Sequence, residues 1–436
     1  MKSIDKIPIS KISRASKMLK TGAKVGVNYI KYYGDKVTKT EAEAKENLDK
    51  SNAEDIYDSL KDLKGSALKV AQMLSMEKNI LPAAYVDKFS LSQFSVPPLS
   101  GPLVAKTFKT YFGKTPNELF DKFDLEAKHA ASIGQVHYAE KDGKKLAVKI
   151  QYPGVADSIS TDLAMVKPVA MKILNLKGKD SERYFKEVED KLIEETDYIL
   201  EVAQSNEIVK ACKHISGLSF PNYYEEFSSE KIITMDWMEG EHISTFAEKN
   251  TDSKAATKIG QALWDFYMFQ IHELKKVHAD PHPGNFLISK ELDIVALDFG
   301  CMKVIPEDFY KPYFELAKKE SIANEAFFKE KMYTLEILRK DDSPEEVAFF
   351  VKMFRELLSV FSRPFHQENF DFGDQSFFDE IGKLAEGLTK NAALRKMNAN
   401  RGSKHFIYMN RTFFGLYNLL NQLGANNIVI NNYKTS

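Results

Sequence analysis

The chain has 436 residues, of which 43% are hydrophobic and 28% charged, and its formal net charge is −1. This length accommodates two or three units with separate cores, and the composition is that of a globular protein. The sequence has no run of eighteen apolar residues and no signal-peptide core, so we expect neither a membrane-spanning helix nor a secretory leader, and its two cysteines, Cys212 and Cys301, fit a reducing compartment.

Residues 1–51 are predicted to be a basic arm and a linker. Residues 1–36 carry nine Lys or Arg and two Asp, and positive charges recur every three or four residues at Lys11, Arg14, Lys17, Lys20 and Lys24. Apolar residues between them permit a basic amphipathic helix that rests on an anionic membrane surface. The alternatives are a loosely ordered arm and a solvated helix face. Residues 36–51 are charged and polar, and we interpret them as a linker.

Residues 52–100 are predicted to form a helical extension. Apolar residues recur in steps of four and three at Ile56, Leu60, Leu63, Ala67, Val70 and Leu74. Lys69 and Gln72 lie three residues apart on another face, and periodicity alone makes them exposed polar residues.

Residues 101–240 have the pattern of a small nucleotide-binding lobe. A loop containing Ala130, Ala131 and Ser132 is predicted between two strands, and the downstream strand, 145–152, alternates with period two. Lys149 is a charge inside this strand, in the order that a kinase small lobe requires, so we expect it to contact nucleotide phosphates. A protein kinase would have glycines in this loop. The alanines restrict the backbone, so we expect the phosphates to be handled differently.

An acidic helical segment at 181–213 supplies candidates for the carboxylate that holds Lys149 on the phosphates. We choose Glu201, which is predicted to share a helix face with Asp197. The sequence leaves other choices open: Glu187, Glu194 and Glu195. A buried strand is predicted at 232–237, followed by a hinge at 238–240. Around this hinge, Met235 and Trp237 are expected to supply backbone groups to an adenine.

The most specific motif lies in the predicted large lobe, 241–345. His278, Asp280 and Asn285 have the spacing H-x-D-x-x-x-x-N, and Asp298-Phe299-Gly300 follows an apolar run. In kinase chemistry one carboxylate orients the nucleophile's proton, while an amide and a second carboxylate hold Mg²⁺ against the phosphates. We therefore predict Asp280 as catalytic, together with Lys149, and Asn285 and Asp298 as magnesium ligands. The alternative is a capping Asp with turn residues.

The chain after Gly300 has neither an A-P-E motif nor room for an activation loop before a helix start at 306–308. This argues against a phosphorylation-switched protein kinase. Helices are predicted at 255–274 and, in the tail 346–436, at 348–361, 378–388 and 406–423, the last ending at Gly424.

Together these motifs resemble the UbiB/AarF-type atypical kinases, also called coenzyme Q kinase-like proteins, from about Leu63 onward. The family's K-x-G-Q signature matches residues 69–72 with Ala71 in place of glycine, and its A-A-A-S loop matches 129–132 with His first. Its E-x-D signature matches Glu195-Thr196-Asp197, which supports Glu201, six residues after Glu195. Its catalytic loop matches HADPHPGN.

The resemblance implies an α+β, protein-kinase-like bilobal fold with an N-terminal helical extension and a helical C-terminal tail. In such proteins the K-x-G-Q helix looks like a lid over the peptide site. Lys69 would then be tied to Glu195 and Asp197, with Gln72 beside it.

The resemblance also implies ATP and Mg²⁺ as cofactors and a role in isoprenoid quinone or lipid metabolism. Phosphorylation of a small molecule or lipid, or ATP hydrolysis, is expected rather than protein phosphorylation. Quinone-biosynthesis proteins are expected partners, nucleic acid is not, and the expected location is cytoplasmic, peripheral at the inner face of a membrane. The alternative is a non-catalytic, nucleotide-dependent scaffold or lipid chaperone.

Overall fold

A computed structural model describes residues 11–63, 83–90, 98–131, 133–173, 179–250, 252–390 and 401–430. The chain divides into two compact units: Met1–Ala203 with Asn222–Trp237, and Gln204–Pro221 with Met238–Ser436. Helices and a mainly antiparallel set of strands are both present, with helices at each end of the described chain. The predicted α+β class, with its helical extension and helical tail, is confirmed.

Two long helices open the first unit, α1 (Lys11–Thr38) and α2 (Glu41–Leu63). The helix predicted in the basic arm is present. The linker predicted at 36–51 is wrong except at residues 39 and 40, because residues 36–38 end α1 and residues 41–51 lie in α2. Thr40 and Glu43 cap α2: the Thr40 N–H donates to Glu43 Oε2 at 3.0 Å, and the Glu43 N–H donates to Thr40 Oγ1 at 3.3 Å.

The apolar stripe predicted at 56–74 begins inside α2, where Ile56 and Leu60 are buried. Burial of Ala44 and Leu48 extends that stripe toward the start of the helix. The rest of the predicted stripe lies outside the described residues, and so do Lys69 and Gln72.

Further along the first unit, short helices lead into the sheet: α3 (Ala83–Ser90), α4 (Gly101–Phe112) and α5 (Pro116–Leu119). The sheet strands are β1 (Lys122–Phe123), β2 (His129–Ala131), β3 (Gly134–Lys141), β4 (Lys144–Gln151) and, later in the chain, β6 (Ile232–Asp236). Their order is β1-β3-β4-β6 with β2 beside β3, and all pairs are antiparallel. The strands predicted at 145–152 and 232–237 correspond to β4 and β6.

The predicted alanine loop is largely strand, which corrects the expectation. Ala130 pairs with Gln135, and Ala131 with Gly134, in a tight β2–β3 hairpin. On the other side of β3, Gly134 permits a close approach to β4, because a Cβ there would lie 2.4 Å from the Ile150 carbonyl oxygen. Ser132 lies outside the described residues.

The single helix predicted at 181–213 is two helices, α7 (Lys179–Glu195) and α8 (Tyr198–Cys212); α6 (Val155–Ile173), which was not predicted, precedes them. Asp197 interrupts the helix because its Oδ1 accepts the Leu200 N–H at 2.9 Å, an N-cap contact. Asp197 is therefore an exposed cap while Glu201 is buried, and the prediction that they share a helix face is wrong.

The second unit is mainly helical and contains three small sheets. Its strands are β5 (Leu218–Ser219), β7 (Glu241–His242), β8 (Lys276–His278), β9 (Phe286–Ile288), β10 (Ile294–Ala296), β11 (Met302–Val304), β12 (Asn369–Phe370) and β13 (Ile428–Val429). One sheet has the order β5-β10-β9-β7, β8 pairs with β11, and β12 with β13. These short strands position the loops that carry the predicted catalytic residues.

The helices of the second unit bury a core rich in aromatic side chains. They are α9 (Ile243–Lys249), α10 (Ser253–Phe269), α11 (Glu307–Leu316), α12 (Lys319–Ala323), α13 (Glu325–Thr334), α14 (Pro344–Phe361), α15 (Gln375–Lys390) and α16 (Lys404–Leu423). A π-helical turn, Gln270–Leu274, continues α10. The four helices predicted in this unit are present, and α16 ends at Gly424, whose φ of 64° is left-handed.

Across the described ranges, none of the helices has both the length and the apolar character needed to cross a bilayer.

Candidate active site

Lys149 and Glu201 form a buried ion pair in the first unit. Lys149 Nζ lies 2.6 Å from Glu201 Oε1, and the two side chains are only 11% and 6% exposed. The ammonium also lies 5.1 Å from the centre of the Tyr198 ring. The structure thus pairs Lys149 with Glu201, the carboxylate chosen from the sequence.

The position of β4 explains why this pair is buried. β4 lies between β3 and β6, and residues 146–151 are buried on both faces of the strand. Burial of a lone ammonium is costly, so a lysine in such a strand requires a close carboxylate. Glu201, one turn into α8, supplies it.

Backbone groups of Met235 and Trp237, next to the predicted hinge, already take part in the hydrogen bonding of the sheet. Met235 pairs with Ala147 across β4 and β6, and the Trp237 N–H donates to the Lys145 carbonyl at 2.9 Å. The Trp237 ring stacks on His129 with 5.8 Å between ring centres. Because that N–H is used within the sheet, the carbonyl of Trp237 is the backbone group that an adenine amine could contact.

In the second unit, a dense hydrogen-bond network fixes the start of the catalytic loop. The His278 N–H donates to Gln270 Oε1 at 2.9 Å, and the Ala279 N–H donates to the Cys301 carbonyl at 2.9 Å. Gln270 lies in the π-helical turn and is fully buried. Its side-chain oxygen therefore holds the backbone at the start of the predicted catalytic loop from within the core.

Tyr267 is a second support that sequence reasoning missed. Its hydroxyl lies 3.3 Å from His278 Nδ1, and burial, with smaller contributions from the charges of Asp280 and Cys301, raises the pKa of Tyr267 well above its usual value. The phenol therefore stays neutral at physiological pH. The spacing of apolar residues in α10 indicates that Tyr267 is buried, but it does not indicate the contact of its hydroxyl with His278.

Asn285 and Asp298 are brought to the same end of an antiparallel strand pair. Asn285 directly precedes β9 and Asp298 follows β10, and the Leu297 N–H donates to the Asn285 carbonyl at 3.0 Å. The Asn285 amide nitrogen donates to the Asp280 carbonyl at 3.0 Å, which directs the amide oxygen elsewhere. Asp298 Oδ1 accepts the Gly300 N–H at 2.9 Å.

This donor set fits a magnesium ion. Mg²⁺ prefers carboxylate and amide oxygens, and it commonly takes one or two protein ligands with phosphate and water completing its shell. Asn285 and Asp298 supply one oxygen of each kind from adjacent strand ends. The structure thus brings these two together and links Asp280 to them through its carbonyl.

Apolar packing holds the D-F-G segment in place. Phe299 is fully buried, and its ring centre lies 5.8 Å from that of His278 and 6.4 Å from that of Phe266. In the loop itself, His282 Nδ1 accepts the Gly284 N–H at 3.0 Å, which shapes the turn between the two prolines.

The helix α16 touches the catalytic loop from the far end of the chain. A Cβ on Gly415 would lie 2.4 Å from Pro281 Cγ and 3.1 Å from its carbonyl oxygen. Only a glycine allows α16 to approach Pro281 this closely. The contact joins residues more than a hundred positions apart, and no local pattern signalled it.

His272, in the same π-helical turn as Gln270, has contacts typical of a structural residue. Its Nδ1 lies 2.7 Å from the Tyr310 hydroxyl, and burial lowers the pKa of His272 to about 4. The imidazole is therefore neutral at physiological pH and serves the packing of α10 against α11.

The other predicted site residues in the described part of the chain lie in the following elements of the first unit. Glu195 ends α7, Asp197 caps α8, and Ala130 and Ala131 lie in β2. The predicted tie between Lys69 and the two carboxylates lies outside the described residues.

A strand lysine paired with a helical glutamate, an H-x-D-x-x-x-x-N loop and a D-F-G segment, in this order, define the protein-kinase-like class. The comparison with family models narrows the class. A model described as the ABC1 atypical kinase-like domain matches residues 91–330, and the chain belongs to this family. The predicted UbiB/AarF membership is confirmed.

Similar proteins occur in several kingdoms. The atypical kinase COQ8, mitochondrial, of Saccharomyces cerevisiae is 28% identical over 429 residues, which cover 96% of this chain and 83% of the yeast protein. An uncharacterized aarF domain-containing protein kinase, chloroplastic, of Arabidopsis thaliana is 29% identical over 290 residues, 65% of this chain and 41% of that protein. The chain spans less than half the length of this and other curated relatives.

Among solved structures, the complex of Rv3197 with erythromycin from Mycobacterium tuberculosis has a TM-score of 0.61 and 22% identity. The match covers 90% of this chain and 97% of that one. At this identity the similarity shows a shared fold. It supports the predicted architecture and carries nothing about the ligand.

Proposed function

We propose that the chain is an ATP-binding atypical kinase or ATPase that supports isoprenoid quinone (ubiquinone-type) or lipid biosynthesis. The buried Lys149–Glu201 pair carries this proposal. Such a pair contributes little net stability compared with apolar residues of the same volume, so stability alone does not explain a lysine in the middle of a sheet. Phosphate binding by a lysine held in place by a glutamate does explain it.

Each predicted residue then has a role. Lys149, held by Glu201, binds phosphate oxygens. The segment of Ala130, Ala131 and Ser132 covers the phosphates, and backbone groups at Met235 and Trp237 contact the adenine. Asn285 and Asp298 hold Mg²⁺, which supplies positive charge against the phosphates. Asp280 orients the attacking hydroxyl or water.

The short connection after the D-F-G segment favours an acceptor other than a protein. Between Gly300 and Pro306 the chain forms only β11, which pairs with β8, and α11 begins at Glu307. This stretch has no loop that could dock a peptide or take up a regulatory phosphate. A small molecule, a lipid or water is the acceptor we propose, and Lys69, Gln72, Glu195 and Asp197 are the proposed lid residues.

Metabolite and lipid profiling tests the pathway. In cells that lack the protein, we expect the wild-type chain to restore the missing quinone or lipid and Asp280→Asn to fail, because Asp280 is needed for turnover and not for binding. Equal rescue by Asp280→Asn would instead favour a non-catalytic scaffold or lipid chaperone. Both chains must accumulate to the same level for the comparison to hold.

We also infer that α1 makes the peripheral membrane contact. The side of α1 that faces α2 is polar: Asn28 is buried, and its Nδ2 donates to Asn52 Oδ1 at 3.1 Å and to Asp55 Oδ2 at 2.9 Å. Several large apolar residues of α1 face outward instead, with Leu19 76%, Ile30 72% and Val37 84% exposed. This is the reverse of an ordinary surface helix.

The positive charge of α1 favours an anionic membrane over a second copy of the helix as its partner. The helix carries seven Lys or Arg and one Asp, so two copies would repel one another, whereas an anionic membrane would attract it. An apolar stripe flanked by lysines is the pattern of a helix that lies in the headgroup region.

Vesicle flotation tests this contact. With vesicles containing anionic lipid, we expect Leu19→Ser/Ile30→Ser/Val37→Ser to weaken binding at least about tenfold, since each residue would lose burial in the acyl boundary. The matched control is Leu125→Ser, also exposed and in the same unit, which should bind like wild type. Unchanged flotation of the triple variant, or equal binding to neutral vesicles, would contradict the inference.

A further inference from the structure

Gln151 makes a second link between β4 and the corner where α7 ends and α8 begins. Its side chain is 1% exposed, and its Nε2 donates to the Thr196 carbonyl at 3.0 Å. Gln151 follows Lys149 by two residues on the same strand, so both side chains leave β4 on the same face. β4 therefore contacts this corner at two points: Lys149 pairs with Glu201, and Gln151 donates to the Thr196 carbonyl.

Lys231 fixes the orientation of the Gln151 amide. Its Nζ donates to Gln151 Oε1 at 2.7 Å, and the Gln151 N–H donates to the Lys231 carbonyl at 3.0 Å. With its oxygen held by an ammonium, the amide must present its nitrogen to Thr196. Burial lowers the pKa of Lys231, an effect that nearby carboxylates, chiefly that of Glu230, partly offset.

Thr196 directly precedes Asp197, the residue at which α8 starts. Asp197 caps α8, and the Asp197 carbonyl accepts the Glu201 N–H at 3.0 Å. Because a helix rises only about 1.5 Å per residue, Glu201 lies within two turns of this corner, and a displacement of the corner moves its carboxylate by a similar distance. The ion pair with Lys149 spans 2.6 Å and tolerates little displacement.

We propose that Gln151 is a positioning residue: it holds the start of α8 so that Glu201 meets Lys149. Gln151 itself touches neither nucleotide nor metal in this assignment. The consequence for nucleotide binding rests on the proposed function, whereas the consequence for the Lys149–Glu201 pair does not.

Two measurements test this assignment. The first is the labelling of Lys149 by an amine-reactive reagent without nucleotide, followed by mass spectrometry. We expect Gln151→Leu to raise the labelling rate at least about fivefold, since loss of a buried hydrogen bond frees the corner. Gln151→Glu, which keeps an oxygen toward Lys231 but cannot donate to Thr196, should behave the same way and serves if the leucine variant does not fold.

Lys231→Met is the matched control, because it removes only the contact to the Gln151 oxygen. The Thr196 carbonyl can only accept a hydrogen bond, so it still selects the Gln151 amide nitrogen without Lys231. We expect it to change Lys149 labelling less than about twofold, since the link to Thr196 stays. Wild-type labelling in both Gln151 variants would overturn the assignment.

The second measurement is a double-mutant cycle on ATP affinity. We expect Gln151→Leu to weaken ATP binding about tenfold in the wild-type background and less than twofold when Glu201→Gln is already present, because its effect passes through the ion pair. Equal losses in both backgrounds would show a merely structural role and overturn the assignment. If Glu201→Gln alone left ATP affinity unchanged, the proposed function would fail. The labelling of Lys149 would still show whether Gln151 positions Glu201.

Discussion

Asp298→Asn is expected to lower Mg²⁺-dependent ATP turnover by about 10²–10³-fold, a loss typical of removing one preorganised group that stabilises developing charge. The carboxylate lies beside Asn285 at the ends of β9 and β10, and one of its oxygens already accepts the Gly300 N–H. An asparagine can keep that hydrogen bond. The variant therefore removes the negative charge for Mg²⁺ and leaves the turn. Steady-state turnover across a Mg²⁺ titration measures the effect.

The chain contains its own control for this substitution. Asp371-Phe372-Gly373 repeats the D-F-G sequence in the same unit, with the Gly373 N–H donating to Asp371 Oδ1 at 2.8 Å, and Asp371 is exposed. Asp371→Asn should leave turnover unchanged. Equal activity of the Asp298→Asn and wild-type chains at saturating Mg²⁺ would remove Asp298 from the metal site.

Glu201→Ala is expected to lower the free energy of unfolding by about 3–5 kcal/mol, the usual cost of removing one partner of a buried ion pair. The substitution takes away the carboxylate 2.6 Å from Lys149 and leaves the ammonium in a site that is largely shielded from water. ATP affinity should fall as well, since Lys149 loses the group that directs it. Denaturant unfolding and nucleotide titration measure the two effects.

Replacing both partners separates stability from binding. Lys149→Met/Glu201→Leu fills the site with apolar side chains, which is often neutral or stabilising compared with the ion pair. We expect this variant to unfold like wild type and to bind ATP poorly. Wild-type ATP affinity in the double variant would show that the pair is structural only.

The proximity of Asn285 and Asp298 could be predicted because their spacing along the chain is set by strand geometry. Asn285 and Asp298 flank two short strands, and an antiparallel turn returns the second strand to the start of the first. Sequence spacing alone therefore brings the amide and the carboxylate together. Glu201 was chosen as the partner of Lys149 from the acidic helical segment, with Glu187, Glu194 and Glu195 left open, and the family's E-x-D signature then supported that choice.

Other features depended on contacts that local patterns do not contain. Residues 41–51 looked like a linker because they are polar, yet the Thr40–Glu43 cap and burial of Leu48 make them helical. Asp197 carried the spacing of a helix-face residue, but its side chain caps the next helix instead. The Gly415–Pro281 contact joins residues more than a hundred positions apart in the second unit and follows from tertiary packing alone.

The central claim is that this chain turns over ATP with Asp280 as the orienting carboxylate. Parallel measurement of Mg²⁺-dependent ATP turnover and ATP affinity, for wild-type and Asp280→Asn chains, tests it most directly. We predict measurable turnover in the wild-type chain, turnover lower by at least about 10²-fold in the variant, in the range expected for loss of a general acid–base group, and ATP affinity within about twofold of wild type. Equal turnover in the two chains, or its absence from both with ATP still bound, would contradict the account.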